Sequence, residues 1–119
     1  MAELQDLNEN VLEKLRKLGG EKFVGEMLAL FLKHVPGKVA AAVAGANAGD
    51  FAVVEAAVHS VKSSSGNIGA ERVFDIANRI ELLEGSEVEK FLPSLIIELE
   101  ESFSRLRGIL EKVKKGTKA

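Results

Sequence analysis

The spacing of apolar residues is the feature that most constrains the fold of this chain of 119 residues. Apolar side chains recur every three or four positions over long stretches, which is the period of a helix with one buried face. No stretch shows the period-two alternation of a strand, and the connections between the periodic stretches are short. The pattern predicts an all-α protein: an antiparallel four-helix bundle with a short N-terminal capping helix, in a single domain over residues 1–119.

The first half of the chain predicts two helices separated by a pair of glycines. Asn8 or Asn10 can cap a short helix, which the glycine pair at positions 19 and 20 ends. A longer helical pattern follows over residues 23–48. Pro36 is expected to kink or break this helix, because proline removes a helical hydrogen bond and crowds the preceding turn.

The second half predicts three more helices, with glycines at the turns between them. The first covers residues 51–67, and Asp50 is placed to cap it. The next covers residues 70–84, with a clear apolar stripe. The last helix begins at a predicted capping box in which Ser86 and Glu89 satisfy each other's exposed backbone donors.

Composition and charge narrow the classes of function. The net charge is -2 and the isoelectric point is about 5.7, so the chain lacks the positive field that non-specific nucleic-acid binding requires. It contains no cysteine, which excludes disulfides, thiolate metal sites and a cysteine nucleophile. The acidic start MAELQDLNENVLEK is unlike a secretion signal, and the longest weakly polar run, VAAAVAGANAG, is too short to span a membrane. We therefore expect a cytoplasmic protein that binds neither nucleic acid nor membrane.

The helix predicted over residues 51–67 carries one of the two histidines of the chain. At about 100° per residue its apolar stripe follows one line, and His59 lies about 140° away, so the imidazole is expected to face water. No stability argument favours the small residues around it, because glycine costs a helix interior about 1 kcal/mol and serine competes for backbone hydrogen bonds. These residues do leave room for another protein's active site to close over His59. The neighbours on the helix surface are Ala52, Glu55, Ala56, Lys62, Ser63 and Gly66.

An exposed imidazole with a free nitrogen can act as a nucleophile. If His59 accepted a phosphoryl group, Lys62, one helical turn away, would pair with the phosphate oxygens, and the small neighbours would let a donor approach in line. Two plainer interpretations stay open on spacing alone. In one, His59 is an ordinary surface histidine; in the other, KSSSGN is the fraying end of a helix.

The segment HSVKSSSGNIGAERV resembles the signature of histidine-containing phosphotransfer domains, which reads roughly His-x-x-Lys-Gly-small-small-x-x-aliphatic-Gly. The similarity covers nearly the whole chain, through LGGEKFVGEMLALFLKHVPGKV and ANAGDFAVVEAAVHSVK. The resemblance implies a helical protein that carries a phosphoryl group on His59. The residues that match the signature in register are His59, Lys62, Ser64, Ser65, Ile68, Gly69 and Ala70.

The resemblance also implies roles for individual residues. Nε2 of His59 would be the attacking atom, and Lys62 would help to hold the phosphoryl group. Glu81 aligns with a family position that glutamine or glutamate often occupies, and a hydrogen bond from Nδ1 of the histidine would orient the ring. The alternative for Glu81 is a surface carboxylate at the edge of the apolar stripe of its helix.

The chain departs from the family pattern at Ser63, where glycine usually follows the lysine. The extra hydroxymethyl group would either hinder the approach of a partner slightly or supply a hydrogen bond to the phosphoryl group. Ser63 belongs to the expected docking face for a partner. The other residues of that face are Ala52, Glu55, Ala56 and Gly66.

Two functions are compatible with these residues. The leading hypothesis is a phosphorelay intermediate of two-component signalling, in which His59 receives a phosphoryl group from an aspartyl phosphate on one receiver domain and passes it to another. The alternative is a helical adaptor that docks a histidine kinase or response regulator without carrying phosphate. The expected partners are response-regulator receiver domains and a hybrid sensor histidine kinase.

Other kinds of chemistry are not expected. The chain lacks the ATP-binding motifs of a histidine kinase, so we predict a covalent phosphoryl carrier and not an enzyme. Its two histidines are far apart and lack metal-ligand spacing, so no metal site and no cofactor are expected, and Mg²⁺ is expected on the partner receiver domain. A monomer is expected, because a dimer that covered His59 would block transfer.

Overall fold

The computed structural model of the protein describes residues 3–116, and these residues form four helices and no strand. The first helix, α1, packs against α2 and α4, and α3 packs against the same two helices, so the four surround one core. Short connections make consecutive helices antiparallel. The predicted all-α four-helix bundle is confirmed. The four helices are α1 (Glu9–Asn47), α2 (Phe51–Ile68), α3 (Glu71–Glu81) and α4 (Ser86–Gly116).

The predicted capping helix is the first part of α1. The side chain of Asn8 caps it by accepting a hydrogen bond from the backbone N–H of Asn10 at 3.0 Å. The backbone of Gly20 is non-helical, with a φ of 82°, a positive value that favours glycine. The capping helix therefore ends at the glycine pair as predicted, and residues 21–47 form the long helix of the bundle.

The long helix continues through Pro36, so the predicted break is wrong. Gly20 is the one residue of α1 with non-helical backbone angles. Val35 and Val39, on either side of the proline, are both buried. Packing of these side chains against the core keeps the helix intact although Pro36 donates no backbone hydrogen bond.

Both ends of α2 form where the sequence predicts them. The carboxylate of Asp50 accepts a hydrogen bond from the backbone N–H of Val53 at 3.2 Å. Gly69 ends the helix in the left-handed conformation, with a φ of 81°, and an added Cβ there would lie 2.7 Å from Val11. The N–H of Asn8 also donates to the Gly69 carbonyl at 2.8 Å. Gly69 thus fixes the end of α2 against the start of α1.

The connection between α3 and α4 differs from the prediction. α3 ends at Glu81, three residues earlier than expected, because residues 82–85 are needed to turn the chain towards α4. Ser86 is already the first residue of α4 and does not form the predicted box with Glu89. Instead, the N–H of Glu84 donates to the carboxylate of Glu87 at 3.0 Å. In a capping box, the glutamate side chain accepts a hydrogen bond from the backbone N–H of the N-cap residue. The bond between Glu84 and Glu87 is this half of the box, two residues nearer the N-terminus than predicted.

Among residues 3–116, α1 is the one helix that is long and apolar enough to cross a membrane by length and composition. One stretch of α1 has a mean hydropathy of 1.4. The uninterrupted runs of weakly polar residues in the sequence are shorter and do not indicate this stretch. The core helix of a soluble protein passes the same test, and 28% of this apolar stretch is buried inside the bundle. The buried apolar residues of α1 after Gly20 include Val24, Leu28, Phe31, Val35, Val39 and Ala42.

The residues before α1 are tied to the start of α3. The carboxylate of Glu71 accepts a hydrogen bond from the backbone N–H of Gln5 at 3.1 Å and another from the side-chain amide of Asn8 at 2.8 Å. The N–H of Arg72 donates to the carbonyl of Gln5 at 3.1 Å. These bonds to its carboxylate, first that from Gln5, hold the pKa of Glu71 below its ordinary value.

Glu71→Ala is expected to lower the free energy of unfolding by about 1 kcal/mol at neutral pH, because two donors lose a charged acceptor. The pKa of Glu71 is lower in the folded than in the unfolded state, so its contribution is present above the ordinary pKa of glutamate and is lost as pH falls through the lowered value. Denaturant unfolding of both proteins at neutral pH and at about pH 3 measures this difference. A difference in stability that stays the same at both pH values would contradict the assignment.

Candidate functional site

α2 presents one face to the core and the opposite face to solvent, as its apolar pattern predicts. The imidazole of His59 lies on the solvent face, and its side chain is 65% exposed. The buried face consists of Val54, Ala57, Val58, Val61, Ser65 and Ile68. The residues expected to form the docking face are all exposed: Ala52, Glu55, Ala56, Ser63 and Gly66.

Glu81, the last residue of α3, contacts the imidazole of His59. Its Oε2 lies 2.6 Å from Nδ1 of the histidine. An ionised carboxylate can only accept a hydrogen bond, so Nδ1 is the nitrogen that carries the proton. In the neutral ring Nε2 then keeps its lone pair. Among the residues that the structure describes, none forms a hydrogen bond to Nε2.

Lys62 is bound to the same carboxylate. Its Nζ lies 2.7 Å from Oε1 of Glu81 and donates a second hydrogen bond to Oδ1 of Asn78 at 3.3 Å. The two oxygens of Glu81 therefore bridge His59 and Lys62, one oxygen to each. Because the side chain of Lys62 is 25% exposed and has two partners, its ammonium is already ordered beside the histidine, which reduces the entropy lost when it contacts an anion.

The hydrogen bond from Lys62 holds the pKa of Glu81 below its ordinary value. Partial burial opposes this shift, and the hydrogen bond from His59 adds to it. Glu81 is therefore ionised throughout the neutral range. A negative charge at this position also stabilises positive charge on the imidazole.

Sequence reasoning misses two residues of α3 that contact the solvent face of α2. Asn78 accepts the hydrogen bond from Lys62, and the ring of Phe74 lies over Gly66. The signal for both is their spacing, since positions 74, 78 and 81 share one face of a helix. Which residues of α2 they meet depends on how α3 is aligned against α2, and that alignment follows only from the fold.

Gly66 has a packing role that the sequence does not reveal. A Cβ at this position would lie 3.3 Å and 3.4 Å from two ring carbons of Phe74, closer than most side-chain contacts. Glycine allows the aromatic ring to sit directly against α2. The expectation that no stability argument favours the small residues of this face is therefore wrong for Gly66.

The second histidine, His34, is exposed on α1. No hydrogen bond or ion pair joins it to a carboxylate or an ammonium within the described part of the chain. In the same residues, no three His, Asp or Glu side chains lie close enough together to hold a metal ion. Of the two histidines, His59 is thus the one bound to a carboxylate, and the same carboxylate binds the ammonium of Lys62.

Glu81→Ala is expected to release the ring of His59 from a single tautomer, because the tautomer is set by the hydrogen bond at Nδ1. Glu81→Gln keeps an acceptor at this position and is expected to keep the Nδ1–H tautomer. The ¹⁵N chemical shifts of the two ring nitrogens report the tautomer directly. If Glu81→Ala and the wild type gave the same pair of shifts, the carboxylate would not be what orients the ring.

Known proteins provide an independent comparison for this site. A family model described as the Hpt domain matches residues 26–113. A search of curated proteins found no match. The chain is similar in structure to histidine-containing phosphotransfer protein B (HptB) from Pseudomonas aeruginosa PAO1, with a TM-score of 0.75, 25% sequence identity, and coverage of 95% of this chain and 97% of that chain. The resemblance found in the sequence is thereby confirmed, and the chain belongs to the Hpt family of histidine-containing phosphotransfer domains.

Proposed function

We propose that the protein is a phosphorelay intermediate that accepts a phosphoryl group on His59 from an aspartyl phosphate of one receiver domain and passes it to another. Membership of the Hpt family supports a role in two-component phosphotransfer. The observation that carries the proposal is the contact of 2.6 Å between Nδ1 of His59 and Glu81. In the neutral ring, this contact places the proton on Nδ1 and leaves the lone pair on Nε2 of an imidazole that a partner can reach.

In the proposed transfer, the lone pair of Nε2 attacks the phosphorus of the aspartyl phosphate. The N–P bond forms as the bond from phosphorus to the aspartyl oxygen breaks, and the aspartate leaves as a carboxylate with the bonding electrons. The imidazole gains positive charge, which the carboxylate of Glu81 stabilises through the proton on Nδ1. Passing the group to a second receiver reverses these changes at a new aspartate.

Lys62 is the residue proposed to neutralise the phosphoryl oxygens. A lysine ammonium has three N–H donors, and two of them are directed to Glu81 and Asn78. The third is available to a phosphoryl oxygen without loss of either contact. A cation that is held in position before the reaction stabilises developing charge more effectively than one that must be ordered during it.

The proposal also covers the kind of protein, its partners and its location in the cell. The chain is a covalent carrier that does not phosphorylate itself from ATP, and the Mg²⁺ used in the transfer belongs to the receiver. Its partners are response-regulator receiver domains and a hybrid sensor histidine kinase. We expect a cytoplasmic monomer with one domain over residues 1–119, which binds neither nucleic acid nor membrane. The partner docks on the face of Ala52, Glu55, Ala56, Ser63 and Gly66.

A two-step transfer assay tests the relay. A receiver domain that carries labelled phosphate on its aspartate is mixed with the protein and removed, and a second, unlabelled receiver is then added. The expected result is an acid-labile, alkali-stable label on the protein that moves to the second receiver, while ATP alone gives no label. A protein that binds receivers but never takes up label from a panel of them would be the docking adaptor instead.

A further inference from the structure

Asn78 lies on α3 one helical turn before Glu81 and contacts the ammonium of Lys62. The two side chains meet in a partly buried hydrogen bond of 3.3 Å. A lysine ammonium can only donate hydrogen bonds, so the amide atom that faces it is the carbonyl oxygen, Oδ1. The same ammonium lies 2.7 Å from Oε1 of Glu81. Lys62 is thus held between one charged acceptor and one neutral acceptor.

The balance of charge beside His59 gives the neutral acceptor its importance. The carboxylate of Glu81 is ionised and offsets the charge of Lys62, whereas the amide of Asn78 adds no charge. An aspartate at position 78 would have nearly the same shape and would be a stronger acceptor for the ammonium. It would also leave a net negative charge beside the histidine, and this charge would repel the phosphoryl oxygens.

Partial burial means that the ammonium of Lys62 needs a second partner. The side chain is 25% exposed, so its ammonium has lost part of its contact with water, which an acceptor from the protein must replace. With Glu81 as the sole acceptor, the long side chain would regain freedom that it must lose again on contact with the phosphoryl group. Arg79, the next cation along α3, is paired with Asp75 and Glu98 and does not take the place of Lys62.

We infer that Asn78 is a positioning residue for the transfer: its neutral carbonyl holds Lys62 beside His59 and leaves the charge of the ammonium available to the phosphoryl oxygens. The inference rests on the proposed function, because Lys62 is the residue proposed to neutralise those oxygens. Asn78 acts through Lys62 and does not itself contact the phosphoryl group. A side chain that only joined α2 to α3 would need the hydrogen bond alone, whereas the inferred role needs the bond and the absence of charge.

Asn78→Asp and Asn78→Ala test the inference together, because aspartate keeps the acceptor and adds a charge, whereas alanine removes the acceptor. The measurement is the rate of transfer from a phosphorylated receiver as a function of receiver concentration. We expect the maximal rate to fall about fivefold in Asn78→Ala and about 30-fold in Asn78→Asp, with the half-saturating concentration within about twofold of wild type in both. Asn78→Gln keeps a neutral carbonyl and should retain more of the rate than either variant.

Two further measurements and one control separate this role from a structural one. The denaturant midpoints of both variants should stay close to that of the wild type, because the contact is one partly exposed hydrogen bond. The two Hε protons of Lys62 should have different chemical shifts where the side chain is ordered, in the wild type and in Asn78→Asp, and should merge in Asn78→Ala. Asn10→Asp adds the same charge at an exposed position at the start of α1 and should transfer at the wild-type rate.

The possible outcomes distinguish the inference from the function on which it rests. If the wild type takes phosphate from the receiver and Asn78→Asp is as fast as the wild type, or faster than Asn78→Ala, the neutrality of position 78 does not matter and the inference is overturned. An equal loss of rate in Asn10→Asp would also overturn it, because the net charge of the protein would then explain the effect. If the wild type takes no phosphate from any receiver, the proposed function fails and the inference fails with it, even where the Hε shifts show that Asn78 orders Lys62.

Discussion

Replacing His59 with glutamine is expected to abolish uptake of phosphate from a phosphorylated receiver, with a fall of more than about 10³-fold to the background of the assay. Glutamine offers no nucleophilic nitrogen, because the lone pair of an amide nitrogen is delocalised into its carbonyl. The side chain of His59 is 65% exposed, so the substitution should affect neither the fold nor the docking face.

Two measurements accompany this prediction. Binding of the receiver to His59→Gln should stay within about twofold of the wild-type value, because glutamine is a polar side chain of similar size and most interface positions contribute little to affinity. His34→Gln is the matched control, because His34 is also exposed but forms no hydrogen bond or ion pair within residues 3–116, and it should take up phosphate normally. Uptake that survives in His59→Gln, or that disappears in His34→Gln, would show that the phosphate is carried elsewhere.

Replacing Lys62 with methionine is expected to slow transfer by about 10²-fold without abolishing it, which is the usual effect of removing one charged or hydrogen-bonding group from a transition state. Methionine keeps most of the aliphatic length of lysine and removes the charge. The effect should fall on the maximal rate and not on the half-saturating concentration of receiver, because the ammonium is held inside the site by Glu81 and Asn78.

The exposed lysine at position 33 on α1 provides the control for this variant, since Lys33→Met changes the net charge equally but is not expected to alter transfer. Lys62→Met also removes the main cause of the lowered pKa of Glu81, so the pKa of that carboxyl should rise towards its ordinary value. The ¹³C chemical shift of the Glu81 carboxyl, followed over acidic pH, measures this. A maximal rate equal to that of the wild type would exclude Lys62 from the transfer step.

The sequence predicts the end of a helix correctly where a single residue determines that end. Asp50 caps α2, and Gly69 ends it, because a side-chain acceptor and a positive φ are local requirements. The expected break at Pro36 does not form, because burial of Val35 and Val39 outweighs the helix-breaking preference of one residue. Such packing depends on residues that are distant in sequence, so no local pattern reveals it.

The candidate site likewise has one part that the sequence predicts and another that depends on the packing of α2 against α3. The solvent-facing position of His59 and the nearness of Lys62 follow from helical spacing within α2. The contacts that these residues make with α3 depend on the alignment of two helices, and spacing within one helix carries no information on it. The position of Glu81 could be expected only through the family resemblance, whereas Asn78 and Phe74 emerge only from the folded chain.

The most direct test of the central claim is to identify the phosphorylated atom. The protein is labelled with ¹⁵N in its histidines, phosphorylated by a receiver that carries an aspartyl phosphate, and examined by NMR for ³¹P–¹⁵N coupling. We predict that the phosphorus is bonded to Nε2 of His59 and that Nδ1 keeps its proton and its contact with Glu81. Phosphate on Nδ1, on His34 or on no histidine at all would contradict the account.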